Sequence, residues 1–317
     1  DPLNRNERIL TVMDRAHRNL QMALTELYPG NLVISFNAGV LHHKMVKMIT
    51  IENQVPAEPT PERHLGPYMC VPFGKMLRVA AVPNTVTKTL HTDKVFEPDI
   101  KNFRITEYPN YSPLINQIRT IKSFDRSVIL VDDLLHKGYR IRELDPLFKT
   151  ENIDIRKLVV GILSGRGKDL MTIQNRKVDC VYFIPNLRAW FVESSLYPFI
   201  GGDSVSRKEK QNVSMIPSIN LIQPYVAPAF LTGAGKESIN NFSLTCLENA
   251  WEILTVLEEE YQAYYEKNLT LKRLGEVVIS SRSPDQGDCL HSDLNLAPSV
   301  YVANDIEKLK RLRYSLI

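Results

Sequence analysis

Cysteine is scarce in this sequence. Cys70, Cys180, Cys246 and Cys289 are the only four in 317 residues, and no two form a C-x-x-C pair. That spacing argues against a thiolate metal cluster and against a disulfide framework. It sets reduced thiols and a cytoplasmic location as the expectation. A charge imbalance is missing too: 39 Lys and Arg face 36 Asp and Glu, a formal net charge of +3. So small a surplus gives no ground for a nucleic-acid or membrane partner, although a local basic site for an acidic ligand stays open. No apolar run approaches the roughly 18–20 residues of a bilayer span. No signal-peptide pattern opens the chain, and there is no internal repeat or long low-complexity linker. The chain starts at Asp1 rather than Met, so a neighbouring domain of a longer protein is among the expectations, as is a homodimer.

What is present is an ordinary globular composition, 44% hydrophobic and 24% charged, with length enough for a large core. Residues 6–27 (NERILTVMDRAHRNLQMALTEL) carry apolar side chains at helical spacing and stop near Pro29-Gly30. NLVISF (31–36), then Asn37-Ala38-Gly39, then VLHHKMVKMI (40–49) reads as strand, tight turn, helix. Residues 52–67 read as a Pro-rich loop. YMCVPF and MLRVAAV, split by Gly74-Lys75, suggest a hairpin. PNTVTKTLHTDKVF (83–96) reads as a polar, cationic loop, and residues 111–123 as a helix behind Ser112-Pro113.

The most informative stretch is SVILVDDLLHKGYR (127–140). An apolar strand, 128–132, runs into the adjacent carboxylates Asp132 and Asp133 and then a short cationic loop with Gly138. Pro146 limits any helix over 142–149. KLVVGIL (157–163) is a further strand ending in SGRGK (164–168), residues 169–175 are helical, and VDCVYFI (178–184) is one more strand. Strands apolar at nearly every position, separated by helices, predict an α/β fold with a mostly parallel, doubly wound sheet. Past about residue 186 the alternation stops. A long helix falls within 237–278 and a basic amphipathic helix over 305–316. The domain expectation is an N-terminal helix (1–30), an α/β domain (31–230) and a helical extension (231–317). TGAGK (232–236) fails as a P-loop, because Glu237 stands where Ser or Thr would hold Mg²⁺.

In open parallel sheets, ligands bind outside the carboxyl ends of the strands. Two vicinal ribose hydroxyls suit a carboxylate pair, and a helix N-terminus suits a phosphate. Four apolar residues, two acids and a Gly-containing loop opening a helix resemble the phosphoribosyl-pyrophosphate (PRPP) signature of type I phosphoribosyltransferases. That resemblance implies a site. Asp132 and Asp133 would contact ribose hydroxyls directly or through Mg²⁺, the implied cofactor. His136, Lys137, Gly138, Tyr139 and Arg140 would hold the 5′-phosphate. Asn37, Ala38 and Gly39 would hold pyrophosphate. Lys88, His91 or Lys94, from a mobile loop, would close over the leaving group. Arg166, Lys168, Trp190 and Phe191 would lie near a base, under a hood over about 186–230. The family loop usually reads Thr-Thr-Gly-Gly-Thr; here it is HKGYR, so bulk and charge replace the Thr hydroxyls. Three functions follow: transfer of ribose 5-phosphate from PRPP to a nitrogen nucleophile, a non-catalytic module that senses PRPP or a nucleotide, or a structural scaffold.

Overall fold

The computed structural model describes residues 2–61, 64–74, 81–96, 102–108, 111–199, 203–205, 218, 219, 231, 233–278 and 293–314. These form two compact units. One comprises Phe36–Asp93 and Ile105–Trp190; the other comprises Asp1–Ser35, Lys94–Arg104 and Phe191–Ile317.

The first unit is α/β. Its elements in order are α2 (Ala38–Glu52), β1 (Met69–Pro72), β2 (Val86–Thr87), α3 (Leu114–Lys122), β5 (Val128–Leu135), α4 (Tyr139–Thr150), β6 (Ile155–Ser164), α5 (Gly165–Ile173) and β7 (Val178–Ile184). The five strands make one sheet, in the order β2-β1-β5-β6-β7, with every recorded pair parallel. Strand β5 is central, with Val128 opposite Met69 and Val131 opposite Pro72 on one side. Val128 to Val131 are at most 1% exposed, as a strand covered on both faces requires. One face packs Ile118 of α3, Ile141, Leu144 and Phe148 of α4 and Met171 of α5 against Val128, Leu130, Leu158 and Val160. The other packs Met45 and Ile49 of α2 against Ile129, Val131 and Val159. After β1 the chain adds β2 on one side; it later returns to place β5 on the other. The order therefore reverses between β1 and β5, which is where such sheets open a crevice.

The second unit is mainly helical. Helix α1 (Glu7–Leu27) is capped by Asn6, whose side chain accepts from the amides of Arg8 and Ile9. Its Arg8 pairs with Glu259 and Glu260 of α6 (Lys236–Tyr265), at 2.5 Å each. Buried Asn249 donates to the Ala16 carbonyl at 3.0 Å. Helix α7 (Pro298–Tyr314) joins α6 where the Ser299 amide and hydroxyl reach Glu258 at 2.8 and 2.7 Å. Strands β3 (Thr92–Phe96), β4 (Phe103–Glu107), β8 (Asp203–Val205) and β9 (Ser218–Ile219) make a separate sheet in the order β4-β3-β8-β9.

Several sequence expectations need correction. NLVISF is no strand: Leu32 is 85% and Ile34 50% exposed, so the segment has no sheet to bury it. The strand it was expected to supply is β1, whose four residues are all buried. YMCVPF is therefore not half of a hairpin but a parallel strand between β2 and β5; most of MLRVAAV lies outside the described residues. The stretch 83–96 is not one open loop. The amides of Lys88 and Leu90 donate to the carbonyls of Cys70 and Pro72, and Leu90 is fully buried. Pro146 does not stop α4, because buried Ile141, Leu144 and Phe148 on both sides of it hold the helix to the sheet. SGRGK is not a free loop: Ser164 caps α5, accepting from the Gly167 amide at 3.1 Å.

Candidate functional site at the carboxyl end of β5

Strand β5 outruns β1. The last β1 partner is Pro72, opposite Val131, and the Phe73 amide still donates to the Val131 carbonyl at 2.9 Å. On the β6 side pairing continues to Leu135, opposite Leu163. Asp132 and Asp133 are thus both strand residues, the strand running on past its expected end at Asp132 to Leu135, and they stand just where β1 falls away. Gly74 faces them. A Cβ there would lie 2.5 Å from Asp133 Oδ1 and 2.8 Å from Asp132 Oδ1. Only glycine lets the chain leaving β1 approach both carboxylates so closely. Sequence reasoning passed over Gly74 as a hairpin break. The signal for its real place was a Gly directly after an apolar run.

Asp132 is 6% exposed. Its Oδ1 accepts from Arg140 Nη1 at 2.7 Å and from the Asp133 amide at 2.8 Å. Burial raises its pKa to about 6. The charge of Arg140 opposes the rise and that of Asp133 adds to it. The Arg140 guanidinium also lies 6.0 Å from the centre of the Phe73 ring. Phe73 in turn is held by Thr92, whose hydroxyl donates to its carbonyl at 3.2 Å.

The loop between β5 and α4 is set by Gly138. It takes φ +67° as the N-cap of α4 and makes no side-chain cap bond. A Cβ there would lie 2.1 Å from Leu170 Cδ2, so a left-handed backbone and a close helix both demand glycine. The first amides of α4 consequently have no capping side chain at Gly138, the arrangement that accepts anions at helix starts. His136 is tied inward: its Nδ1 lies 2.9 Å from the hydroxyl of fully buried Ser164. Burial, helped by the charges of Lys137 and Arg166, lowers its pKa, so the ring favours its neutral form. The five residues expected to hold a phosphate are therefore divided. Arg140 turns to Asp132. Lys137 and Tyr139 line a groove with α5.

The other expected residues are dispersed. Asn37 caps α2, accepting from the Val40 amide at 3.1 Å, and Ala38 and Gly39 form the first turn rather than a strand-end turn. That turn sits by β7, where Phe36 packs on Tyr182 with ring centres 4.9 Å apart. Lys88 is exposed beside β2. The His91 ring stacks on Tyr111 at 3.8 Å, and its amide donates to Gln117 at 2.8 Å. Lys94 lies 5.0 Å over the Phe103 ring, and Lys168 lies 5.2 Å over Phe183. Trp190 is 48% exposed, and Phe191 packs edge-on to Phe242 of α6. Most of the expected hood lies outside the described residues.

The donor set does not fit a resident Mg²⁺. Asp132 Oδ1 is engaged by a guanidinium and an amide. Among the described residues no three His, Cys, Asp or Glu side chains form a cation site. A hard cation that keeps several waters would enter here with a ligand's phosphates. A second cavity, about 380 Å³, lies at the opposite, amino edge of the sheet, lined by Tyr68, Ser127, Asp154, Arg156, Lys157 and Lys177 among others. Its Arg156 and Lys157 are already paired with Glu52 and Asp179. No helix among the described residues is long and apolar enough to cross a membrane.

No family model and no curated protein matches the chain. Among solved structures it is similar to a variant of hypoxanthine phosphoribosyltransferase from Trypanosoma cruzi complexed with the product IMP. The identity is 15%, over 50% of this chain and 80% of that one, with a TM-score of 0.27. It is also similar to the AQ2163 protein from Aquifex aeolicus, at 15% identity over 53% and 81% of the two chains and a TM-score of 0.26. Superpositions at these scores carry no argument about function, which rests on the strand-end geometry itself. The chain contains an α/β unit whose five-stranded parallel sheet places two acids and a glycine-opened helix at its switch point.

Proposed function

We propose that the crevice between the carboxyl ends of β1 and β5 binds a phosphorylated ribose, as PRPP or a nucleotide, in the manner of type I phosphoribosyltransferases. The observation that carries this reading is the meeting of Asp132, Asp133 and Gly74 at the point where the strand order reverses. Asp133 and Asp132 accept from the ribose hydroxyls. The first amides of α4 and the Arg140 guanidinium hold the phosphate, each charged hydrogen bond contributing about 1.5–3 kcal/mol. Arg140 must then exchange a carboxylate for a phosphate, which releases Asp132 to the sugar.

The Arg140–Asp132 ion pair favours binding without turnover. In the transferase reading, the bond from ribose C1 to pyrophosphate breaks as a nitrogen nucleophile bonds to C1. Preorganised charges near the leaving group would have to stabilise it. Lys88 is exposed and the His91 ring is stacked on Tyr111, so neither is held in such a place. Calorimetric titration with ribose 5-phosphate and with PRPP, with and without Mg²⁺, tests the proposal. Binding that is lost in Asp132→Asn/Asp133→Asn supports it; no binding of either ligand by the wild type overturns it. Release of pyrophosphate from PRPP with an added base would restore the transferase reading.

A further inference from the structure

Lys137, Tyr139 and Arg142 at the start of α4 face Arg166 at the start of α5 across a groove of about 340 Å³. Its lining has three cations and one acid, Asp169. The cations differ in how they are held. Arg142 is fixed: its Nη2 donates to the Lys137 carbonyl at 3.1 Å, and its guanidinium lies 4.9 Å over the Tyr139 ring. Lys137 and Arg166 have no ion pair or hydrogen-bond partner for their charged ends among the described residues. Both line the same groove. Two apolar side chains complete the lining: Leu170, which closes against Gly138, and Ile173, 82% exposed. Tyr139, 47% exposed, offers an aromatic edge beside the cations.

Two unpaired cations, a positioned arginine and an exposed aromatic ring beside two apolar side chains match one chemistry. That chemistry is a phosphate attached to a planar ring. The cations meet the phosphate, while Tyr139, Leu170 and Ile173 meet the base. A simple acidic peptide would use the charges but leave Tyr139, Leu170 and Ile173 without a role.

We infer that the groove between the first turns of α4 and α5 is a nucleotide-phosphate site, separate from the crevice at Asp132 and Asp133. It takes one nucleotide unit, either free or within a single strand. The site shares its wall, the loop 136–140, with the crevice. It does not depend on Asp132 or Asp133.

The test is calorimetry on the full chain with four probes: 5′-AMP, adenosine, inorganic phosphate and the trinucleotide of adenylate. Titrations are run on the wild type, on Asp132→Asn/Asp133→Asn and on that variant with Lys137→Gln/Arg166→Gln added. The two residues the last variant adds are exposed, so the addition leaves the fold intact; an unchanged melting transition checks this. The expected result is AMP binding that survives Asp132→Asn/Asp133→Asn and weakens at least tenfold when Lys137→Gln/Arg166→Gln is added. Adenosine and inorganic phosphate bind at least tenfold more weakly than AMP. Tighter binding of the trinucleotide than of AMP assigns the unit to a strand; equal binding assigns it to a free nucleotide. No AMP binding by the wild type overturns the inference. So does AMP binding to Asp132→Asn/Asp133→Asn that survives the addition of Lys137→Gln/Arg166→Gln, or inorganic phosphate that binds as well as AMP. Failure of the crevice reading looks different, because there ribose 5-phosphate and PRPP do not bind while AMP still does.

Discussion

Two buried Asp–Arg pairs sit on the same α/β unit and teach different things. Asp145 of α4 pairs with Arg176 at 2.5 Å and also accepts from Gln174 at 3.3 Å. Both of its partners come from the turn that follows α5. The pair ties two crossovers together, and its Arg176 lines the cavity at the amino edge of the sheet rather than the crevice between β1 and β5. Asp132 pairs with Arg140 at 2.7 Å, but a second carboxylate follows it in the strand and Gly74 stands across from it. Arg176 is 17% exposed and Arg140 28%. The first pair is closed on itself. The second holds a charge that burial opposes, at the edge where a ligand would enter. Groups held against their solvation preference in a cleft cluster at functional sites.

The largest expected effect breaks the closed pair. Asp145→Ala leaves the Arg176 charge nearly buried and unpaired, and should cost about 3–5 kcal/mol in urea denaturation. Asp132→Asn at pH 7 should leave stability within about 1 kcal/mol of wild type or raise it, because Arg140 can turn to solvent and an unfavourably buried charge is gone. Equal losses in the two variants would erase the distinction.

The pH dependence sharpens the same contrast. Asp132 keeps its proton to about pH 6 when folded, against a usual value of 3.8 for the unfolded chain. Between those values the folded state holds more protons than the unfolded state. This group's contribution to stability therefore falls as pH rises from about 4 to about 6, and is level above about pH 7. The change amounts to at most ~3 kcal/mol. The stability of Asp132→Asn minus that of wild type should rise across that window; a flat difference would remove the claim that burial governs this carboxyl.

Gly138→Ala is the next effect. A left-handed backbone and the contact with Leu170 should together cost about 1–2 kcal/mol by denaturation. Ribose 5-phosphate binding should weaken with it, because the loop moves. The smallest effect separates the two arginines by function. Arg140→Met should weaken ribose 5-phosphate binding about tenfold, or about 1.4 kcal/mol, by calorimetry. Arg176→Met should leave that affinity unchanged while lowering the melting temperature. If Arg140→Met binds as tightly as wild type, Arg140 holds no phosphate.

Much of the α/β unit could be read one segment at a time. VILV followed by two acids had to be a buried strand with a charged end, and it is the centre of the sheet. LVVGIL and VDCVYFI are strands in sheet order beside it. Helix α1 announced itself by its periodic apolar face, and the long helix expected within 237–278 is α6. NLVISF and MCVP looked alike as apolar runs. One lies exposed outside the sheet and the other is fully buried within it. Nothing within either run distinguishes them, since a parallel strand is chosen by neighbours far away in the chain.

The candidate site divides the same way. Composition and local spacing were enough for the strand, its two carboxylates and the glycine that opens α4, because those depend on burial periodicity and on backbone sterics within a few residues. The partners of those groups depended on the assembled fold. Gly74 reaches the carboxylates only because β1 pairs beside β5, from more than 50 residues earlier. Arg140 turns inward to Asp132 while Lys137 and Tyr139 line the groove with α5, and Leu170 closes on Gly138 between them. Local forces decide what a residue's backbone can do; which charge it meets is decided by packing between distant segments, and that exists only once the chain is folded.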